Sequence, residues 1–214
     1  ILTHQRPDRV ATYGTLKRHG YTGRIYLVVD DLDPSLPEYR ERFGDEVIVF
    51  NKREAAANTD SGNNFNDLRS VVYARNATFG IAKDLGLTCF MQLDDDYTAF
   101  EYRFDDMLEY KPTVAHNLDA PISALVRFYL ASGATSLAMA QGGDFIGGGN
   151  SSVADAPSLR RKCMNSFICS VDRPFNFLGI LNDDVSTYSR HATTGHLFFT
   201  ATQFSLVQKA TQQQ

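Results

Sequence analysis

A chain of 214 residues is the size of one ordinary domain and buries about 70% of the surface its unfolded form exposes, enough to build a core without a metal or disulfide staple. Hydrophobic residues make up 43% and charged residues 21%, values that exclude wholesale disorder, and no run approaches the roughly 18 apolar residues that cross a bilayer. A net charge of −4 argues against a generic nucleic-acid coat protein but leaves room for a local basic groove, while three scattered cysteines (Cys89, Cys163, Cys169) show no metal or disulfide spacing and suit a reducing compartment.

The chain opens on an extended Ile1-Leu2-Thr3 without a basic-then-apolar leader, followed by a polar break at residues 4–8. From Asp8 a helix is predicted, with Val10 and Leu16 among polar residues, and His19-Gly20 closes it. Residues 23–31 predict a buried strand whose near-continuous apolar run is that of a parallel strand covered on both faces. It ends in Asp30-Asp31, and Pro34 and Pro37 follow. Residues 36–43 predict a short helix and 46–50 another apolar strand. Residues 51–66 are polar and aperiodic and predict a loop. A long helix is predicted over 68–85, with Val71, Val72, Phe79, Ala82 and Leu85 near one face, and Gly86 ends it. The third strong strand, 87–93, runs straight into Asp94-Asp95-Asp96.

Alternating strands and helices predict an α/β fold: a Rossmann-type, mostly parallel sheet flanked by helices on both faces. Ligands of such sheets sit at the carboxyl ends of the strands, where this chain places its aspartates. The second half is less regular. It predicts a helix over 119–132, a strand over 136–140 entering a flexible glycine-rich loop at 142–149, and a strand over 164–171 preceded by Arg160-Arg161-Lys162. An apolar stretch at 175–181 ends at Asn182-Asp183-Asp184, where a helix toward His191 starts, and 197–200 and 204–207 predict short strands. Without a repeat or linker, residues 1–214 read as a single domain, with 1–100 as a regular half and 101–214 as a smaller mixed half.

Asp94-Asp95-Asp96 carries the most chemistry. Adjacent like charges repel unless a cation or donors compensate, and Mg²⁺ or Mn²⁺ prefers carboxylate oxygens. In a strand Asp94 and Asp96 share one face and Asp95 points the other way; the competing reading is a solvated acidic turn. Arg75 and Asn76, on the helix leading into that strand, could face the same pocket edge, where a guanidinium suits phosphate or a base carbonyl; the competing reading is an exposed helix arginine paired with a carboxylate. At Asp183 and Asp184, one carboxylate could take a proton from an attacking hydroxyl while the other caps a helix. His191 and His196 flank a small-residue turn, and a neutral imidazole there could complete a metal site. The segment 142–149 lacks the lysine and hydroxyl of a P-loop, and no nucleophile elbow is present.

In the order Ile1-Leu2-Thr3…Arg6-Pro7, Val28-Val29-Asp30-Asp31, Ala74-Arg75-Asn76 and Leu93-Asp94-Asp95-Asp96, these motifs resemble a nucleotide-sugar glycosyltransferase of the GT-A fold. The wording Gly20-Tyr21-x-Gly23-x-Ile25-Tyr26-Leu27-Val28-Val29-Asp30-Asp31, with Tyr73-Ala74-Arg75-Asn76 and Gln92-Leu93-Asp94-Asp95-Asp96-Tyr97, is similar to the TET-associated glycosyltransferases of bacteriophages. The resemblance implies a soluble hexosyl- or pentosyltransferase in the cytoplasm of the phage-infected host. It would move a sugar from a nucleotide-sugar donor, a UDP-sugar by expectation, to 5-hydroxymethylcytosine or a related modified base in DNA. It implies a DxD pair, Asp94 and Asp96, holding Mn²⁺ or Mg²⁺ with His196 as a late metal ligand. Thr3, Arg6, Asp30, Asp31, Arg75, Asn76 and Asp95 would border the nucleotide, with residues 1–100 as the donor half and 101–214 as the acceptor half. Asp183 or Asp184 would be the base of an inverting reaction, or would stabilise the oxocarbenium-like state of a retaining one. Arg103, Arg160, Arg161 and Lys162 are expected at the DNA backbone, since phosphate affinity needs localised positive charge. The alternatives are the same fold acting on a glycan, lipid or protein hydroxyl, and a nucleotide-sugar or nucleic-acid binding module without turnover.

Overall fold

The computed structural model of the chain describes residues 1–62, 67–151, 154 and 163–208. The apolar run of the first predicted strand becomes β1 (Leu27–Asp30), buried along its whole length. Successive strand side chains point to opposite faces. Leu27 and Val29 accordingly pack with Leu16 of helix α1 (Ala11–Arg18) and Tyr39 of α2 (Leu36–Phe43), while Val28 packs with Val72 and Tyr73 of α4 (Val72–Asp84). Helix α2 occupies the predicted span.

β1 pairs in parallel with β2 (Val47–Phe50). On its other side runs the N-terminal segment. The Val28 amide donates to the Ile1 carbonyl at 2.8 Å and the Leu2 amide to the Leu93 carbonyl at 2.8 Å, so residues 1–3 lie between β1 and the end of β3 (Cys89–Leu93), parallel to both. This half is the parallel arrangement that the alternation predicts.

The second half departs from it. β3 begins a six-stranded sheet of order β3-β7-β6-β8-β4-β5, made with β4 (Tyr97–Phe104), β5 (Tyr110–Val114), β6 (Ser136–Gln141), β7 (Ser166–Ser170) and β8 (Phe198–Gln208). Within it β6 and β8 pair in parallel, and every other neighbouring pair is antiparallel. A mostly parallel sheet is therefore not what forms across the chain. Part of the reason is the tight turn that follows β4 and sets β5 antiparallel to it. There the Asp105 carboxylate accepts amides from Met107 and Glu109, folding β5 straight back.

Two local differences have simple causes. The predicted loop at 51–66 begins with α3 (Lys52–Ala57), because the Asn51 side chain accepts the Glu54 amide at 2.9 Å and caps it. The two short strands predicted at 197–200 and 204–207 are one strand, β8, divided where its register against β6 jumps from Ala201 to Ser205. In the apolar stretch at 175–181, Phe175 and Phe177 pack beside Phe167. Helix α5 (Asp119–Ser132) covers Leu137 and Ile168 through Tyr129, and α6 (Asp183–Ala192) starts at the second acidic cluster.

Candidate active site at the strand ends

The turn joining β3 to β4 is Asp94-Asp95-Asp96, and its side chains go to different partners. Asp95 is buried on the N-terminal segment, where Thr3 Oγ1 donates to it at 2.7 Å and Arg6 Nη1 at 3.2 Å. Asp94 turns toward α4 and α6 and accepts from Arg75 Nη2 at 3.0 Å. Arg75 Nε donates to Asp183 at 2.9 Å, so one guanidinium joins the first acidic cluster to the second. Asp96 accepts from Gln208 Nε2 at 2.8 Å through one oxygen, while Oδ1 is buried with no partner.

The electrostatics follow from crowding. Burial raises the pKa of Asp94 above the ordinary carboxylate value against the lowering pull of Arg75, and Asp96 and Asp183 raise it further. Burial likewise raises Asp183, again opposed by Arg75. Asp95 is raised by burial and lowered by Thr3 and Arg6. Arg75 itself is pulled down by burial, yet Asp94 and Asp183 more than compensate and its pKa rises.

This chemistry suits a hard divalent cation. Such an ion takes carboxylate oxygens, and a buried oxygen with no donor, as at Asp96 Oδ1, is open to one. Asp94 and Asp96 could hold it. A second carboxylate group lies at the ends of β1 and the N-terminal segment, where His4 Nδ1 approaches Asp30 at 2.8 Å and Asp33 at 3.2 Å. Here the protein already supplies the positive charge and the donors. Lys52 Nζ lies 3.1 Å from Asp30, and the Gln5 and Ser35 amides donate to Asp33. Local sequence gives His4, Asp33 and Lys52 little signal. They are found by asking which residues follow the carboxyl ends of neighbouring strands.

Of the residues singled out from sequence, Thr3, Arg6, Asp30, Asp31, Arg75, Asn76, Asp94, Asp95, Asp96 and Asp183 lie along this edge. Their uses differ from expectation in several cases. Asp31 caps α3 by accepting the Lys52 amide at 2.9 Å. Asn76 is occupied with the backbone of Phe177, accepting its amide and donating to its carbonyl, so it braces a loop. Asp184 is buried and accepts the Val185 amide. His196 is bonded to Thr135 just before β6, and Leu137 of β6 is level with Met91 of β3 through Ile168. It therefore sits at the amino ends of the strands, opposite Asp94, and the structure does not bring it to the aspartate pair. Arg103, expected at a DNA backbone, is 6% exposed, donates to Ser205, pairs with Glu101 and stacks on Phe145. Through that stacking it also anchors the glycine-rich 142–149 segment, which forms short 3-10 turns. Arg160, Arg161 and Lys162 lie outside the described residues.

Fold and site together define a mixed α/β protein with a carboxylate-rich edge that follows β1 and β3. A family model described as TET-Associated Glycosyltransferase matches residues 1–214, and the chain belongs to that family. The activity carried by the family's name is sugar transfer. The chain matches no curated protein and no solved structure. Among the described residues no helix is long and apolar enough to cross a membrane.

Proposed function

We propose that this chain is a GT-A glycosyltransferase that moves a sugar from a nucleotide-sugar donor, a UDP-sugar, to the hydroxymethyl oxygen of a modified pyrimidine in DNA. The observation that carries the reading is the convergence of Asp94 and Asp183 on Arg75, beside the partnerless oxygen of Asp96. Asp94 and Asp96 hold Mn²⁺ or Mg²⁺, which when bound offsets charge on the departing diphosphate. Thr3, Arg6 and the Asp30 group would border the nucleoside, since ligands of such folds bind at the carboxyl ends of adjacent parallel strands.

In the transfer, the acceptor oxygen forms a bond to the anomeric carbon as the bond from that carbon to the diphosphate oxygen breaks. The electron pair of the broken bond leaves with the diphosphate. The hydroxyl proton goes to Asp183, whose raised pKa suits a proton acceptor better than an ordinary exposed carboxylate. Asp184 is turned inward and holds the first turn of α6. A base in duplex DNA has to leave the stack to present its hydroxymethyl group. The dimension of the problem that remains for the protein is placement of two substrates, which is worth several powers of ten in rate.

The test is a panel of nucleotide sugars with Mn²⁺ or Mg²⁺, offered with hydroxymethylcytosine DNA and with unmodified DNA. Transfer confined to the hydroxymethylated DNA is the expected result. Sugar release indifferent to DNA would move the acceptor to a glycan, lipid or protein hydroxyl.

A further inference from the structure

Arg75 is 2% exposed, and its guanidinium carbon lies 5.2 Å from the Phe167 ring centre and 5.6 Å from that of Phe177. Nε holds Asp183, Nη2 holds Asp94, and Nη1 is buried without a partner. A guanidinium is planar with its donors fixed relative to one another, so carboxylates bound at Nε and Nη2 are held at a set separation. Those carboxylates come from the two halves of the chain: Asp94 from the end of β3, Asp183 from the first residue of α6. Phe167 on β7 and Phe177 in the following loop meet edge-to-face at 4.8 Å and pack together against one side of the guanidinium, which limits its rotation.

We propose that Arg75 is a positioning residue for sugar transfer, setting the acceptor-side Asp183 in place relative to the donor-side Asp94. This rests on the sugar-transfer reading above and reassigns Arg75 from the nucleotide edge, since a guanidinium closed off from solvent cannot reach a phosphate. Lysine keeps the charge but not the fork. It can pair with one carboxylate at a time and leaves the other free to shift, and a misplacement of about 1 Å at a catalytic group costs on the order of 100-fold in rate.

The experiment measures kcat and donor KM for the wild type, Arg75→Lys, Arg75→Gln, Asp183→Asn and the Arg75→Lys/Asp183→Asn double variant, with thermal melts to establish folding. The expected result is a folded Arg75→Lys with kcat lower by about 100-fold and donor KM within about threefold. In the Asp183→Asn background the same substitution costs less than about threefold more, because the group that Arg75 positions is already lost. If Arg75→Lys does not fold, Arg75→Gln carries the comparison. A kcat near wild type, a loss that multiplies independently with Asp183→Asn, or failure of both variants to fold would overturn this inference alone. A wild type that transfers sugar from no donor overturns the sugar-transfer reading and this inference with it.

Discussion

Thr3 and Asp95, 92 residues apart in the chain, share a buried hydrogen bond of 2.7 Å in which the hydroxyl donates to the carboxylate. A hydroxyl has one proton, so the Tyr39 hydroxyl, 2.7 Å away, must donate to Thr3 while it accepts the Arg6 amide at 2.9 Å. The N-terminal segment, α2 and the acidic turn are thereby joined in one directed chain of hydrogen bonds. Thr3→Val keeps the shape and removes the hydroxyl, leaving Asp95 short of a donor. The expected cost is about 1–3 kcal/mol of stability, measured by urea unfolding. A change below about 0.5 kcal/mol would show that Arg6 alone satisfies Asp95.

Asp96→Asn tests the cation site. Asparagine can still accept from Gln208, and the oxygen it replaces has no donor to lose, so stability changes by less than about 1 kcal/mol. Metal-dependent turnover should disappear, and the thermal shift produced by Mn²⁺ in the wild type should vanish with it. Chelation of the wild type should give the same loss of turnover, restored by adding the ion back. Persistent turnover in a folded Asp96→Asn would remove Asp96 from the ion.

The pH dependence has a defined sign. Burial raises the pKa of Asp94 and Asp183 above 3.8 in the folded chain despite Arg75. A carboxyl with a raised folded pKa binds its proton more tightly folded than unfolded. Its contribution to stability is fully present below 3.8 and is lost as pH rises through the folded pKa. The wild type should therefore gain stability relative to Asp183→Asn as pH falls from about 7 toward about 4, the opposite of a carboxylate whose ion pair lowers its pKa. Urea unfolding of both proteins across that range reads the slope, and a relative loss on acidification would contradict the assignment.

Arg103 is a structural residue. Arg103→Ala leaves Glu101 without its guanidinium and Phe145 without its stacking partner, and should lower stability by about 3–5 kcal/mol. DNA affinity per folded molecule should stay at the wild-type value, with the same dependence on salt, because no phosphate contact is lost. A shallower salt dependence would return Arg103 to the DNA surface.

Much of the first half of the chain is legible in short stretches of sequence. The run Leu27-Val28-Val29, bounded by Gly23 and by Asp30-Asp31, reads as a strand covered on both faces, and the spans of α2 and α5 are bounded by their own turn residues. Helix α3 was readable too: Asn51 and Glu54 have capping spacing, a signal hidden by the polar segment around it. The alternation of aromatic and charged residues in Phe100-Glu101-Tyr102-Arg103-Phe104 is a strand pattern that a search for apolar runs passes over.

By itself the sequence determined which segments are apolar, where their periods break, and that aspartates follow β1 and β3 and open α6. Only the tertiary structure decided which of these meet. Asp94 and Asp183 converge because α4 carries Arg75 between β3 and α6, whereas His196 falls at the far edge because β6 runs in the same direction as β3. Arg103 is a cation like any other in the sequence and becomes a buried brace through Ser205, 102 residues away. Periodicity and capping act over a few residues, while strand order fixes distances between side chains a hundred residues apart, and no local pattern contains that order.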